Sequence, residues 1–166
     1  MVIALGGSTA AFTQESTKLT AATMVFPKEK DEKPDGDAPE PALPIAEKRR
    51  RGRLENIPGT LFRAQVDPDH PLAAGVPSEL PVLLSSTRAL RADKGGTPIA
   101  VLASEPWLSG YVSKENVQKI AGKAYAMDVA SGRGHFILFA DDPTFRLMLQ
   151  GSLRLFANAV LLFSQP

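Results

Sequence analysis

The stretch VIALGGSTAAF, Val2 to Phe12, sets the terms for reading this chain. An apolar run over 2–6 breaks at Gly6-Gly7, and Ser8-Thr9 then open a segment with Ala10, Ala11, Phe12 and Leu19 on one side. Strand, glycine turn and helix in that order is how α/β proteins bring a nucleophile or a phosphate-binding turn to the edge of a sheet. The pattern predicts a buried strand over 2–6 and a helix over roughly 9–20, with Ser8 or Thr9 as N-cap. It also poses a chemical question: whether Ser8 attacks a substrate or only caps a helix.

Outward from this unit, composition changes sharply. FPKEKDEKPDGDAPEPALP (Phe26–Pro44) is rich in Pro and charge and has no hydrophobic period, so it reads as an exposed insertion at about 26–44. IAEKRRRGRLENIPG (Ile45–Gly59) has room for a short helix ending before Pro58. Regular patterns follow. TLFRAQV (Thr60–Val66), LPVLLSST (Leu80–Thr87) and TPIAVLAS (Thr97–Ser104) read as strands, with a turn and helical bend in DPDHPLAAGVP between the first two. SKENVQKIAG (Ser113–Gly122) reads as a helix capped by Ser113 and stopped by Gly122. AYAMDVA and HFILFAD form a hairpin around SGRG. A last helix is expected from Asp142 as cap and Pro143 in the first turn. Phe145, Leu149, Leu153, Phe156, Val160 and Phe163 would be its buried face, and Arg146, Gln150, Arg154 and Asn158 its polar stripe. Apolar strands mixed with amphipathic helices predict an α/β sheet covered by helices, in a single domain over 1–166.

The totals restrict function. At 166 residues, 43% hydrophobic and 22% charged, the chain is long enough and apolar enough for one real core. A net charge of +1 argues against a surface built for nucleic acid or anionic membrane. The basic run EKRRRGR (Glu47–Arg53) follows an acidic stretch with Glu29, Asp31, Glu32, Asp35, Asp37 and Glu40, and no aromatics interleave for base stacking. No apolar run reaches the roughly 18 residues of a membrane span, and the N-terminus lacks the positive region of a signal peptide. The chain enters a strand directly after Met1, from which we expect a piece of a larger protein.

With no cysteine and only His70 and His135, a protein-only zinc site of three or four ligands is not expected. His70 reads as a turn-stabilising residue and His135 as a partly buried strand edge. A serine nucleophile needs a base within hydrogen-bond reach. Ser8 is the catalytic candidate, with His70 or His135 as partner, but LGGST lacks the G-x-S-x-G elbow pattern and the cap role suffices for it. Gly6, Gly7, Ser8 and Thr9 are candidates for an anion site, although neither phosphate-loop spacing is present. In FADDPTFR (Phe139–Arg146), Asp141, Asp142 and Arg146 stand at a strand-to-helix junction, the usual ligand edge of an α/β sheet. The plainer reading there is a helix cap and an Arg–Asp pair.

SGRGHFILFADDPTFR followed by GSLRLFANAVLL resembles the end of the class I glutamine amidotransferase-like domain appended to many bacterial zinc carboxypeptidase-like proteins. IPGTLFRAQVDPDHPLAAGVPSELPVL and LSGYVSKENVQKIAGKAYAMDV resemble upstream parts of the same domain, so the likeness covers about residues 57–163 and, less closely, 2–20. The resemblance implies a three-layer, flavodoxin-like sheet with helices on both faces, here without the earliest strands of a complete domain. It implies a parent whose separate metallopeptidase domain is the partner and carries the zinc, with no cofactor in this chain. A periplasmic or secreted setting is implied as well. Where true amidotransferases carry a cysteine, Leu5 to Ser8 read Leu-Gly-Gly-Ser. The function expected is that of a non-catalytic accessory domain in domain packing or substrate presentation. The alternatives are a small-molecule or anion-binding module and a serine-dependent hydrolase using Ser8.

Overall fold

A computed structural model describes residues 1–14, 19–25 and 44–162. Its strands are β1 (Val2–Leu5), β2 (Met24–Val25), β3 (Thr60–Val66), β4 (Glu79–Leu84), β5 (Ala89–Leu90), β6 (Thr97–Ser109), β7 (Ala124–Ser131) and β8 (Gly134–Phe139). Its helices are α1 (Gly7–Thr13), α2 (Ile45–Glu55), α3 (Lys114–Ile120) and α4 (Gln150–Leu162). The chain is a mixed α/β protein. The strands form one curled, mixed sheet in the order β1-β8-β7-β6-β3-β4, with β5 paired to β7 and β2 to β5. β1 and β8 are parallel, and every other pairing among the described residues is antiparallel.

Period-2 alternation produces this sheet. In β3, Thr60, Phe62, Ala64 and Val66 are buried while Arg63 and Gln65 face water. β8 lies between two cores, so consecutive residues serve opposite faces. Ile137 and Phe139 join Leu155 and Ala159 of α4 and Ile120 of α3. Leu138 joins Ala10 of α1, Met24 and Leu90 on the other face. The expected strand at 60–66, the capped helix after Ser113 and the hairpin around Gly132 are all present. Ser113 Oγ accepts from Asn116 N at 3.2 Å, and Gly122 takes a positive φ after α3.

Several expectations are corrected. α1 begins at Gly7, with Gly6 as N-cap and no side-chain capping bond, so neither Ser8 nor Thr9 caps it. The chain turns two residues earlier than expected because Gly6 takes φ 48° and ψ −109°, a combination closed to residues with a Cβ. Thr9 is instead fully buried, its hydroxyl donating to Phe139 O at 2.7 Å.

The last helix begins at Gln150 rather than after Asp142. Arg146 and Leu147 adopt φ of 50° and 54°, which breaks any helix running from Pro143. Its buried residues are Ser152, Leu155, Asn158 and Ala159, whereas Val160 is exposed and Leu149, Leu153 and Phe156 are only partly covered. Asn158, expected on the polar stripe, is buried because Nδ2 donates to Leu72 O and Ala74 O, both at 2.8 Å. β4 stops at Leu84, and β6 runs on to Ser109. The expected insertion over 26–43, helix residues 15–18 and Phe163 lie outside the described residues.

Candidate functional site

Parallel pairing of β1 with β8 sets Leu5 beside Phe139, so the turns that follow, Gly6-Gly7 and Asp141-Asp142, emerge together. The pairing directions also make β4 run parallel to β8, and the curl of the sheet carries the end of β4 round to the same place. Ser85, just past β4, closes the ring. Its N–H donates to Asp141 Oδ2 at 2.6 Å and its hydroxyl to the same oxygen at 2.9 Å. A cavity of about 410 Å³ opens here, lined among others by Gly6, Gly7, Ser85, Arg88, Asp142 and Thr144.

The charges in this cavity are unequally satisfied. Asp141 Oδ1 accepts from Asp142 N at 2.8 Å in addition to the Ser85 bonds. Asp142 Oδ1 accepts from Thr144 N at 2.8 Å and Thr144 Oγ1 at 2.7 Å, closing an Asx turn in place of the expected helix cap. The half-buried Arg88 guanidinium crosses in front of Gly7, where Nη1 is 3.7 Å from the position a Cβ would take. Among the described residues it has no hydrogen bond or ion pair. Beneath this edge the Tyr125 hydroxyl is buried and has no hydrogen-bond partner among the described residues. Burial pushes the phenol far above its ordinary pKa, and the charges of Asp141 and Asp142 push it further. Ser152 lies beside it and offsets part of that push, but the Ser152 hydroxyl bonds to Pro143 O and Leu149 O.

The structure therefore brings Gly6, Gly7, Asp141 and Asp142 into one site and leaves Thr9 and Arg146 out of it. Arg146 stacks on Phe145, its guanidinium carbon 5.2 Å from the ring centroid, and makes no pair with Asp141 or Asp142. Ser8 is exposed at the second residue of α1 and does not line the cavity. Neither histidine is near it. His135 lies four residues back along β8 from Phe139, about 13 Å at strand rise. His135 Nδ1 meets Asp128 Oδ1 at 2.8 Å, and His70 Nε2 lies 3.5 Å from Asp128 Oδ2. His70 also stabilises its turn as expected, Nδ1 accepting from Leu72 N at 3.2 Å. Among the described residues no three His, Asp or Glu side chains group as metal ligands would.

Sequence reasoning missed Ser85, Ser86 and Arg88. The signal was the polar run SSTR directly after the apolar LPVLL, the same change of character that marks FADDPTFR. Reading Ser85 to Thr87 as strand concealed it. No family model, no curated protein and no solved structure matches the chain.

Proposed function

We propose that this chain is a non-catalytic, ligand-binding accessory domain whose site is the cavity between Gly6 and Asp141. The observation that carries the reading is the residue at the apex of the strand-to-helix turn. A nucleophile elbow holds its reactive side chain on a strained residue between strand and helix. Here that residue is Gly6, with φ 48° and ψ −109° and no side chain at all. Ser8 points to solvent two residues on, with both histidines committed at Asp128. What the cavity offers instead is a guanidinium with no partner among the described residues, beside serine hydroxyls, while its two carboxylates are occupied by internal donors. That combination suits a small molecule bearing a carboxylate or phosphate.

The resemblance to the amidotransferase-like domains of zinc carboxypeptidase-like proteins supplies the setting. On that reading the fold is a divergent three-layer, flavodoxin-like sheet, and the partner is a zinc-bearing metallopeptidase domain in a periplasmic or secreted parent. The parallel β1–β8 pair, with α1 and α4 packed on opposite faces, supports the layered part of that reading, and the antiparallel pairings elsewhere in the sheet are where the fold would diverge.

Thermal unfolding with inorganic phosphate and citrate tests the binding. Saturation to 100 times Kd is expected to raise stability by about 2.7 kcal/mol, or Tm by about 5–10 °C for a domain of this size. Arg88→Gln should abolish the gain and Ser8→Ala should leave it unchanged. A gain that survives Arg88→Gln, or none with either anion, sinks the assignment. A zinc-peptidase reading frame fused upstream is expected in the gene, and its absence removes the proposed parentage.

A further inference from the structure

A second cavity, independent of the first, lies where β6 runs beyond its expected end. Phe62 and Ala64 of β3 pair with Trp107 and Leu102 of β6, so five residues of β6 span the step taken by two of β3. Such a bulge re-aims side chains and is common beside binding sites. It places Ser104 and Glu105 in the lining of a cleft of about 740 Å³, within the range of about 300–1,000 Å³ common to ligand pockets.

Two aromatic rings dominate this cleft. Trp107 is 54% exposed and Tyr111 is 50% exposed, more than any other aromatic ring among the described residues. The Trp107 indole and the Tyr111 backbone are each tied to the protein. The indole N–H donates to Gly110 O at 3.0 Å, in a turn where Gly110 takes φ 105°. Thr60 Oγ1 donates to Tyr111 O at 2.6 Å and fixes the chain on the far side. The Trp107 ring thus has its polar need met internally while more than half of the residue stays open to water.

We propose that this cleft is a saccharide-binding subsite. An aromatic face attracts polarised C–H groups, and a pyranose ring has one flat side lined with them. The rim supplies both hydrogen-bonding roles that sugar hydroxyls require: Glu105 accepts, Lys114 donates, and Gln118 does both. An apolar peptide helix would need Leu, Ile or Met anchors, and only the partly buried Val112 and Val117 are there. The lining sets Glu105 against Lys114 and an Arg63 already paired with Glu79 at 3.0 Å, a near-neutral balance that does not favour a polyanion.

Trp107 is the chain's one tryptophan, so intrinsic fluorescence reports on this cleft directly. Titration of the full chain with cellohexaose, chitohexaose and maltohexaose is expected to give a saturable change in emission with at least one of them. Gln118→Ala, at an exposed helix position, should weaken that titration about tenfold. Tyr111→Ala should remove it, with circular dichroism checking that the fold survives; should that variant unfold, the Gln118→Ala titration alone decides. Isothermal calorimetry should then show no heat for Trp107→Ala. No saturable change up to about 10 mM of any of the three sugars overturns the proposal. So does an emission already blue-shifted and shielded from iodide in the free chain, which would mean that protein covers the rings. Equal affinity of the Gln118→Ala and parent chains overturns it as well.

Discussion

Asp128 is held between the only two histidines of the chain, and the balance around it has a definite sign. Burial alone would raise its pKa. The bonds from His70 and His135 outweigh burial and hold the carboxyl below its ordinary value. A carboxyl with a lowered folded pKa stabilises the protein above the unfolded value, about pH 4, and loses that contribution as pH falls through the folded one. Asp128→Asn should therefore cost about 1–3 kcal/mol in urea unfolding near pH 7. The gap to the parent chain should narrow below about pH 4. A gap that stays constant down to pH 3 would show that charge at Asp128 is irrelevant. Both histidines are visible in the sequence, but nothing there says that a carboxylate on a third segment joins them.

At the scale of elements, α4 shows where periodicity misleads. Its three- and four-residue spacing predicted a helix correctly but set the buried face to one side of the real one, because Leu and Phe occur on more than one side of it: Phe156 packs against the core, whereas Val160 is exposed. The face that packs carries Ser152 and Ala159, small enough for close approach, and Asn158, whose amide binds two carbonyls of the turn after His70. Burying an amide is tolerated when its bonds are made. Asn158→Ala leaves Leu72 O and Ala74 O without that donor, and a loss of about 1–3 kcal/mol is expected. It should appear as a lower urea midpoint with the slope unchanged. A loss under about 0.5 kcal/mol would mean that water replaces the amide freely. α3, by contrast, was legible end to end, since Ser113 and Gly122 mark its limits by local chemistry alone.

Over the whole molecule, the decisive feature is the curl that returns β4 to the end of β8. Ser85 and Asp141 are 56 residues apart in sequence, and their bonds clasp two ends of one sheet. The clasp is solvent-exposed, so Asp141→Ala should cost only about 1 kcal/mol of global stability. Its local effect should be larger: amide exchange from Leu84 to Arg88 is expected to accelerate while α3 amides keep their protection. Uniform acceleration across the chain would count against a local clasp. If the cavity depends on this closure, the phosphate-induced gain in Tm should fall with it.

The sequence by itself determined which segments are strands and helices wherever the signal is local: alternation in TLFRAQV, a serine cap at 113, a glycine hairpin at 132. It also placed Gly6-Gly7 and Asp141-Asp142 at strand ends, half of the site. Tertiary structure decided the rest. Which face of α4 is buried depends on the carbonyls it meets, and which residues join the Gly6–Asp141 cavity depends on the curvature of the sheet. Both are properties of contacts between distant segments, and period and spacing along a chain carry no record of them.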